Sequence, residues 1–296
     1  MNKSAYVISA TLVLLFFVGM FIFVLQTDGV QIHENVSYGT RERNILDLYI
    51  PANVDKDAEQ GVILFIHGGS WTSGDKSSMT DDCKAFAEKG YITATMNYSF
   101  LNFADESKSD FATMLTEIAA ALNKIKSYAA EQGINITKAA LSGYSAGAHL
   151  SMLYAYSMLD KSPLPILFVR SKAGPADYRT FSPSSPDLQE ILARMGNGNI
   201  TADAMQSEQF IAMMQAVSPV TYVRNGVPPT LMAYGKQDTL VTWANAVSLT
   251  NAFEGSGVKY TLVEYPNSGH ALDKDAASEQ LCNKTMEDYA VKYFGY

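Results

Sequence analysis

The chain has 296 residues, a formal net charge of −8, and 47% hydrophobic residues. This acidic balance argues against nucleic-acid binding, which needs a basic surface to contact phosphates. Metal-ligand spacings, a Cys-x-x-Cys pair and a G-x-G-x-x-G turn after a strand are all missing from the sequence, so no metal and no other cofactor is predicted. The length and the hydrophobic content are sufficient for one large domain with a full core.

The first predicted element is an apolar segment at the N-terminus. Ala5 to Leu25 comprises 21 uncharged residues, which as a helix would extend about 31 Å and cross the hydrocarbon core of a bilayer. This stretch is longer than the apolar region of a typical signal peptide, and no small-x-small cleavage site follows it. We therefore predict a transmembrane signal anchor over residues 1–26, with a cleaved signal peptide as the alternative.

The charges that flank this segment predict its orientation. Lys3 and the terminal amine precede it, so the positive-inside rule places the folded portion outside the cytoplasm, although Arg41 and Arg43 on the other side weaken the bias. The domain would be membrane-anchored and extracytoplasmic, or secreted if the segment is cleaved. Residues 27–35 are predicted to form a tether with His33 exposed.

The predicted domain, residues 36–296, begins with an alternating run from Thr40 to Pro51, which is typical of an edge strand. The next run, Val62 to Ile66, is short, apolar and rich in β-branched residues. This composition predicts a buried central strand. The segment His67-Gly68-Gly69-Ser70-Trp71 follows that strand directly.

The two glycines of this segment suit a loop that stabilises negative charge. Gly68 and Gly69 lack side chains, so the backbone can approach a substrate and turn its N–H groups toward an oxyanion, as acyl transfer requires. Both are therefore predicted donors of an oxyanion hole. His67 is predicted to shape the loop through structural hydrogen bonds. Trp71 either walls a substrate pocket or packs in the core.

A pentapeptide further along the chain has the pattern of a serine nucleophile. Gly143-Tyr144-Ser145-Ala146-Gly147 lies between a predicted strand, Lys138 to Leu141, and a predicted helix, Ala146 to Leu159. A G-x-S-x-G motif in this strand–turn–helix context holds the serine on a sharp turn, where strand and helix pass so closely that the flanking positions must be small. We predict Ser145 as the nucleophile, the N–H of Ala146 as a further oxyanion donor, and Tyr144 as a substrate contact.

Two later strands predict the partners of this serine. The run Thr230 to Tyr234 is followed by Asp238, and the run Val258 to Tyr265 is followed by His270. An aspartate that orients a histidine, which in turn takes a proton from serine, is the arrangement that activates a hydroxyl nucleophile. The chain order serine, aspartate, histidine is the one expected of an α/β-hydrolase.

Two other residues compete for these roles. His149 lies four positions after Ser145 on the predicted helix, so its side chain is expected to point into the packed layer and not toward the loop tip. Asp177 follows a strand-like run from Ile166 to Ser171 and could replace Asp238 as the acid or line the pocket.

Helical patterns alternate with the predicted strands, which indicates a single domain with a mostly parallel sheet covered by helices. Residues 176–217 depart from this alternation, because they are longer than a simple crossover and contain two short helical patterns. We predict a small cap over the site. Its methionine and phenylalanine side chains either wall a pocket or pack the cap on the sheet; they are Phe181, Met195, Met205, Phe210, Met213 and Met214.

In combination, these motifs resemble the α/β-hydrolase superfamily, in particular carboxylesterases with an HGG oxyanion motif, such as hormone-sensitive-lipase-like and BD-FAE-like esterases. The resemblance covers residues 36 to 294 and implies an α/β fold with a mostly parallel, twisted sheet of about eight strands, helices on both faces and a helical cap. It assigns the nucleophile to Ser145, the acid to Asp238 and the base to His270. The matching residues also include Asn97 and Tyr98. Ser70 stands where a larger HGGG motif has a third glycine, which leaves open whether two or three N–H groups converge on the oxyanion.

In this fold the helices that carry Cys83 and Cys282 share one face of the sheet. Outside the cytoplasm these cysteines could form a disulfide; two free buried thiols are the alternative.

The function that follows from the resemblance is the hydrolysis of short-chain carboxylic esters. The substrate would be a small molecule or a carbohydrate, with acetyl esters of carbohydrates suggested by the lack of a large lipase-like lid. Because the same residues can expel an alkoxide or an amine, a peptidase or amidase is the alternative within the enzymes. A catalytically silent binding module on the same scaffold is the alternative outside them.

Overall fold

The structure, a computed structural model, describes residues 24–27, 29–101, 110–180 and 207–295. All but the last three residues of the predicted anchor lie outside these ranges, and so do residues 181–206 of the predicted cap. The last three, residues 24–26, form part of the first strand of the sheet, so the predicted end of the anchor is wrong. Within the described ranges, no helix has both the length and the hydropathy needed to cross a membrane.

One nine-stranded sheet forms the centre of the described domain. In chain order the strands are β1 Val24–Thr27, β2 Val30–Ser37, β3 Ile45–Pro51, β4 Glu59–Ile66, β5 Ile92–Met96, β6 Asn135–Tyr144, β7 Ile166–Lys172, β8 Thr230–Gly235 and β9 Tyr260–Tyr265. They lie in the order β1-β2-β3-β5-β4-β6-β7-β8-β9. The pairs β1–β2, β2–β3 and β3–β5 are antiparallel and all other pairs are parallel. The mostly parallel sheet is confirmed, with one strand more than predicted.

Helices cover both faces of the sheet, as predicted. They are α1 Thr80–Ala87, α2 Phe111–Glu131, α3 Ala146–Ser157, α4 Glu208–Ala216, α5 Ala244–Ser256 and α6 Ala276–Ala290. Buried side chains of α2, α3 and α5 belong to one apolar cluster, whereas those of α1 and α6 belong to a second cluster on the opposite face. The described part of the cap contains a short 3-10 helix, Tyr178–Thr180, and α4, whose Met213 and Met214 pack on the core.

The predicted tether is wrong. Residues 27–35 fall largely within β1 and β2, and β3 is an interior strand that pairs with β2 and β5, not an edge. The alternation of β2 is broken by a register shift between His33 and Val36, where Asn35 has a φ of 56°. This β-bulge hides the period of two on which a strand prediction depends. His33, predicted to be exposed, is buried, and its Nδ1 lies 3.0 Å from the hydroxyl of Tyr128.

Both cysteines are free thiols. Cys83 on α1 and Cys282 on α6 are buried in the same apolar cluster, and burial raises the pKa of both. The disulfide hypothesis is therefore not supported, and the free-thiol alternative describes the structure.

Candidate active site

The turn between β6 and α3 contains a single residue, Ser145. Its φ of 52° and ψ of −120° are strained for a residue with a side chain. A Cβ atom at Gly143 would lie 2.3 Å from the backbone of Gly147, and one at Gly147 would lie 2.0 Å from the carbonyl oxygen of Ile66. Only glycine therefore fits at both positions, and the predicted strand–turn–helix context is confirmed.

Three side chains from different strand ends form a hydrogen-bonded line. Nε2 of His270 lies 2.9 Å from Oγ of Ser145, and Nδ1 of His270 lies 2.8 Å from Oδ2 of Asp238. Because a carboxylate only accepts, the proton of the neutral imidazole is on Nδ1 and Nε2 is free to accept from the serine. The second carboxylate oxygen accepts the N–H groups of Leu240 and Val241, each at 2.8 Å. The aspartate side chain is fully buried, whereas that of the histidine is 23% exposed.

The loop that carries His270 is held from several sides. The hydroxyl of Tyr144 donates to the carbonyl of His270 at 3.0 Å, and the two rings lie 5.5 Å apart. The Asp275 carboxylate accepts the hydroxyl of Ser268 at 2.6 Å and the N–H of Asn267 at 3.0 Å. These contacts fix the backbone of the loop that carries the imidazole. They also mean that the hydroxyl of Tyr144 is already hydrogen-bonded within the protein.

The glycines after β4 lie against the serine. A Cβ at Gly68 would be 3.3 Å from Cβ of Ser145, and Gly69 has a φ of 115°, a conformation that favours glycine. Within the described part of the chain, the N–H groups of Gly68, Gly69 and Ala146 donate to no acceptor. Ala146 is the first residue of α3, where backbone N–H groups have no partner in the helix. Unpaired donors thus lie on the residue after Ser145 and on the loop that packs against it.

Comparison with known proteins assigns the chain to a family. The BD-FAE family model matches residues 46–253. The chain belongs to the BD-FAE family. Curated relatives include Esterase LipQ of Mycobacterium tuberculosis, 24% identical over 88% of this chain and 62% of its own length, and a probable isoprenylcysteine alpha-carbonyl methylesterase of Oryza sativa subsp. japonica, 31% identical over 81% and 58%. This chain therefore spans about three fifths of the length of these relatives.

Solved structures show the same fold. Esterase B from Lactobacillus rhamnosis superposes with a TM-score of 0.70 at 19% identity, covering 89% of this chain and 86% of its own. A truncated carbohydrate esterase from gut microbiota superposes with a TM-score of 0.69 at 20% identity, covering 88% and 96%. The α/β-hydrolase fold predicted for the BD-FAE chain is thereby confirmed.

Trp71 of this BD-FAE domain lies in the core. Its side chain is only 1% exposed, and it packs edge-to-face against Phe111 and His149. Both Trp71 and the preceding Ser70 have left-handed backbone conformations, with φ of 59° and 49°. Contact between Trp71 and a substrate would require the surrounding side chains to move, so the core-packing alternative fits the structure and the pocket-wall alternative does not.

His149 is also a core residue, as predicted. It is fully buried, and burial lowers its pKa to about 4, so the ring is neutral at neutral pH. Nδ1 accepts the indole N–H of Trp71 at 3.1 Å, and Nε2 donates to the carbonyl of Val217 at 2.7 Å. The ring therefore joins three segments that are distant in sequence.

Asp177 does not contact the imidazole of His270. Its carboxylate accepts Nε and Nη2 of Arg179 at 2.8 and 2.7 Å and the hydroxyl of Ser248 at 2.5 Å. Burial alone would raise the pKa of Asp177, but these hydrogen bonds outweigh it and the pKa is lowered. Since Nδ1 of His270 is bound to Asp238, the alternative assignment of the acid is not supported.

Arg43 is a residue of this region that the sequence did not predict. It follows β2 in the turn that leads to β3, and its Nη2 donates to the carbonyl of Gly74 at the end of the loop after β4. No periodicity or motif marks it, because its role depends on the reach of a long side chain from one turn to another.

Proposed function

We propose that this protein is a serine hydrolase that cleaves short-chain carboxylic esters through an acyl-enzyme on Ser145. The observation that carries the proposal is the hydrogen-bonded line from Ser145 through His270 to Asp238, next to unpaired backbone N–H groups. Nucleophile, base, orienting acid and charge stabiliser are the four parts that acyl transfer requires.

In the first half of the reaction, Oγ of Ser145 attacks the ester carbonyl carbon while Nε2 of His270 takes the hydroxyl proton. The carbonyl electrons move to oxygen, and the N–H groups of Gly68, Gly69 and Ala146 would bind that oxyanion. The tetrahedral intermediate then collapses, the bond to the alcohol oxygen breaks, and the alcohol leaves with the proton from His270.

In the second half, a water molecule repeats these steps on the acyl-enzyme. His270 takes a proton from the water, the hydroxide adds to the acyl carbon, and Ser145 leaves with the proton restored. Asp238 holds the proton on Nδ1 throughout and stabilises the imidazolium that forms in each half. Loss of one oxyanion donor typically costs about 2.7 to 4 kcal/mol in the barrier.

Several observations support esters as the substrate class. Curated relatives of this chain are named as esterases, and one structure with the same fold is named as a carbohydrate esterase. Acetyl esters of carbohydrates are therefore our proposed substrates within the short-chain class. The hydrogen-bonded line and the unpaired donors argue against a silent binding module, while a peptidase or amidase would use the same residues.

The experiment that tests the proposal measures hydrolysis of p-nitrophenyl acetate, p-nitrophenyl butyrate and an acetylated xylose by the full chain. Ser145→Ala should abolish turnover and labelling by a fluorophosphonate. Ser127→Ala, which removes an exposed hydroxyl on α2, serves as the control and should behave as the wild type. Equal turnover by wild type and Ser145→Ala would overturn the nucleophile. Faster hydrolysis of p-nitroacetanilide, the amide that corresponds to p-nitrophenyl acetate, would favour an amidase.

We also propose that the apolar segment before β1 anchors the protein in a membrane with the domain outside the cytoplasm. The support is the run of 21 uncharged residues preceded by Lys3. The full chain, expressed in bacteria, should stay in the membrane pellet after alkaline carbonate extraction and be digested by protease added to spheroplasts. Release into the medium with a shortened N-terminus would identify a cleaved signal peptide instead.

A further inference from the structure

The guanidinium of Arg43 is fixed beside the loop that follows β4. Nε donates to the carbonyl of Tyr98 at 2.8 Å, and Nη2 donates to the carbonyl of Gly74 at 3.0 Å. The planar group lies over the ring of Phe100, with 3.7 Å from Cζ to the ring centre. A planar fork of donors that also stacks on an aromatic ring is a geometry that lysine cannot reproduce.

The same guanidinium reaches the histidine at the start of the loop. Nη2 of Arg43 lies 3.4 Å from Nε2 of His67, and since arginine can only donate, Nε2 is the acceptor. Nδ1 lies 2.6 Å from the carbonyl oxygen of Gly68, which can only accept, so Nδ1 carries the proton. Two separate contacts thus require the same tautomer. Burial and, to a smaller extent, the nearby Arg43 charge lower the pKa of His67 to about 4, so the ring is neutral.

The ring of His67 is itself held in place. It stacks on Tyr98 with 4.3 Å between ring centres, and the hydroxyl of Tyr98 donates to the carbonyl of His67 at 3.0 Å. A Cβ at Gly74 would lie 2.4 Å from the carbonyl oxygen of Gly68 and 2.5 Å from Nδ1 of His67. Gly74 therefore closes the space around the hydrogen bond between them.

This hydrogen bond determines the direction of a proposed oxyanion donor. The carbonyl of Gly68 and the N–H of Gly69 belong to one planar trans peptide, so they point in opposite directions. A peptide between two glycines can rotate with little steric cost. Holding the Gly68 carbonyl against His67 turns the Gly69 N–H to the opposite side.

We propose that Arg43 is a positioning residue, which acts through the tautomer of His67 to hold the Gly68–Gly69 peptide in the orientation that stabilises the oxyanion. The inference rests on the proposed function and deepens it at the same site. Arg43 touches neither substrate nor reacting atoms. It selects the ring nitrogen that carries the proton, and the ring in turn fixes the peptide.

The experiment compares Arg43→Met and Arg43→Lys with Arg41→Met, which removes an exposed cation from the same turn. Steady-state hydrolysis of p-nitrophenyl acetate gives kcat and KM, and a trifluoromethyl ketone, which forms an oxyanion on the serine, gives an inhibition constant. For Arg43→Met we expect kcat to fall about 10- to 100-fold with KM changed less than about threefold, and the ketone to bind weaker by the same factor as kcat/KM falls. Arg43→Lys should recover only part of this loss, because charge without the fork does not fix Nε2. Arg41→Met should match the wild type.

A second readout does not depend on turnover. Nitrogen-15 NMR of histidine-labelled protein should show the Nδ1–H tautomer for His67 in the wild type and a mixture of tautomers in both Arg43 variants. Wild-type kcat in Arg43→Lys together with an unchanged tautomer would overturn the inference, and so would a loss of kcat without weaker ketone binding. If the wild type is active and both Arg43 variants hydrolyse the ester equally well, only the role of Arg43 is refuted. If the wild type is inactive, the proposed function and this inference are refuted together.

Discussion

The indole N–H of Trp71 donates to Nδ1 of His149 across 3.1 Å inside the core. Trp71 belongs to the loop after β4, and His149 lies one turn into the helix that begins after Ser145. The other ring nitrogen donates to Val217, next to α4 of the cap. A single neutral imidazole therefore connects the loop after β4 to helix α3 and to the residue that follows α4.

This pairing predicts energetic coupling between the two side chains. His149→Phe keeps an aromatic ring but leaves a buried indole N–H and a buried carbonyl unpaired, so the free energy of unfolding should fall by about 2 to 4 kcal/mol. Trp71→Phe should cost about 1 to 3 kcal/mol. In the double variant the two losses should not add, with a coupling of about 1 kcal/mol in urea denaturation. Trp243→Phe, at a half-buried position, is the control, and additive losses would show that the hydrogen bond contributes nothing.

Stability should decrease in mild acid because of buried histidines. Burial lowers the pKa of His67 and His149 to about 4, against about 6.5 for an unfolded histidine, and it lowers that of His33 as well. Between these values the unfolded chain binds protons that the folded chain does not. The free energy of unfolding should therefore fall as pH decreases from 6.5 to 4, by up to about 1.4 kcal/mol per pH unit for each histidine.

Denaturant midpoints measured between pH 7 and 4.5 give this slope. In His149→Phe, the dependence of the free energy of unfolding on pH should be weaker by the contribution of about one bound proton. A free energy of unfolding that stays constant over this interval in the wild type would contradict the assignment of neutral, buried rings.

Two glycine substitutions should have opposite effects. A methyl group at Gly147 would lie 2.0 Å from the carbonyl oxygen of Ile66, so Gly147→Ala should lose at least about 4 kcal/mol of stability or fail to fold. Gly255, in helix α5, has no atom within 4 Å of an added Cβ. Gly255→Ala should therefore stabilise the protein by about 0.5 to 1 kcal/mol. Thermal melting distinguishes these outcomes, and an unaffected Gly147→Ala would refute the close passage of α3 over β4.

Asp238 and Asp177 were alternative acids in the sequence, and one substitution at each separates them. Asp238→Asn keeps the shape but favours the opposite histidine tautomer, so kcat for p-nitrophenyl acetate should fall about 10³- to 10⁴-fold. Asp177→Asn should change kcat less than about threefold, because its carboxylate binds Arg179 and Ser248 instead of the imidazole. The reverse pattern would reassign the acid.

The sequence predicted the meeting of Ser145, Asp238 and His270 better than the edges of the fold. Ser145, Asp238 and His270 each follow a strand with a clear apolar pattern, and the carboxyl ends of parallel strands meet at one edge of a sheet, so their convergence was predictable. The bulge at Asn35 concealed β2, and with it the burial of His33.

Contacts between long side chains were not predictable either. The reach of Arg43 to His67 and the pairing of Trp71 with His149 depend on rotamers and on the packing of elements that are far apart in sequence. Period and motif describe the position of a residue within an element, but not its partners across the fold.

The line from Ser145 to His270 joins residues 125 positions apart, and the turn that holds Arg43 comes from the opposite half of the sheet. Long loops must therefore close before this arrangement is complete, and topologies with such non-local contacts fold slowly. A partly folded chain would contain the turn at Ser145 without His270 or the loop after β4 beside it. Recovery of activity after dilution from denaturant should consequently lag behind the recovery of secondary structure, since it reports the last stage of assembly.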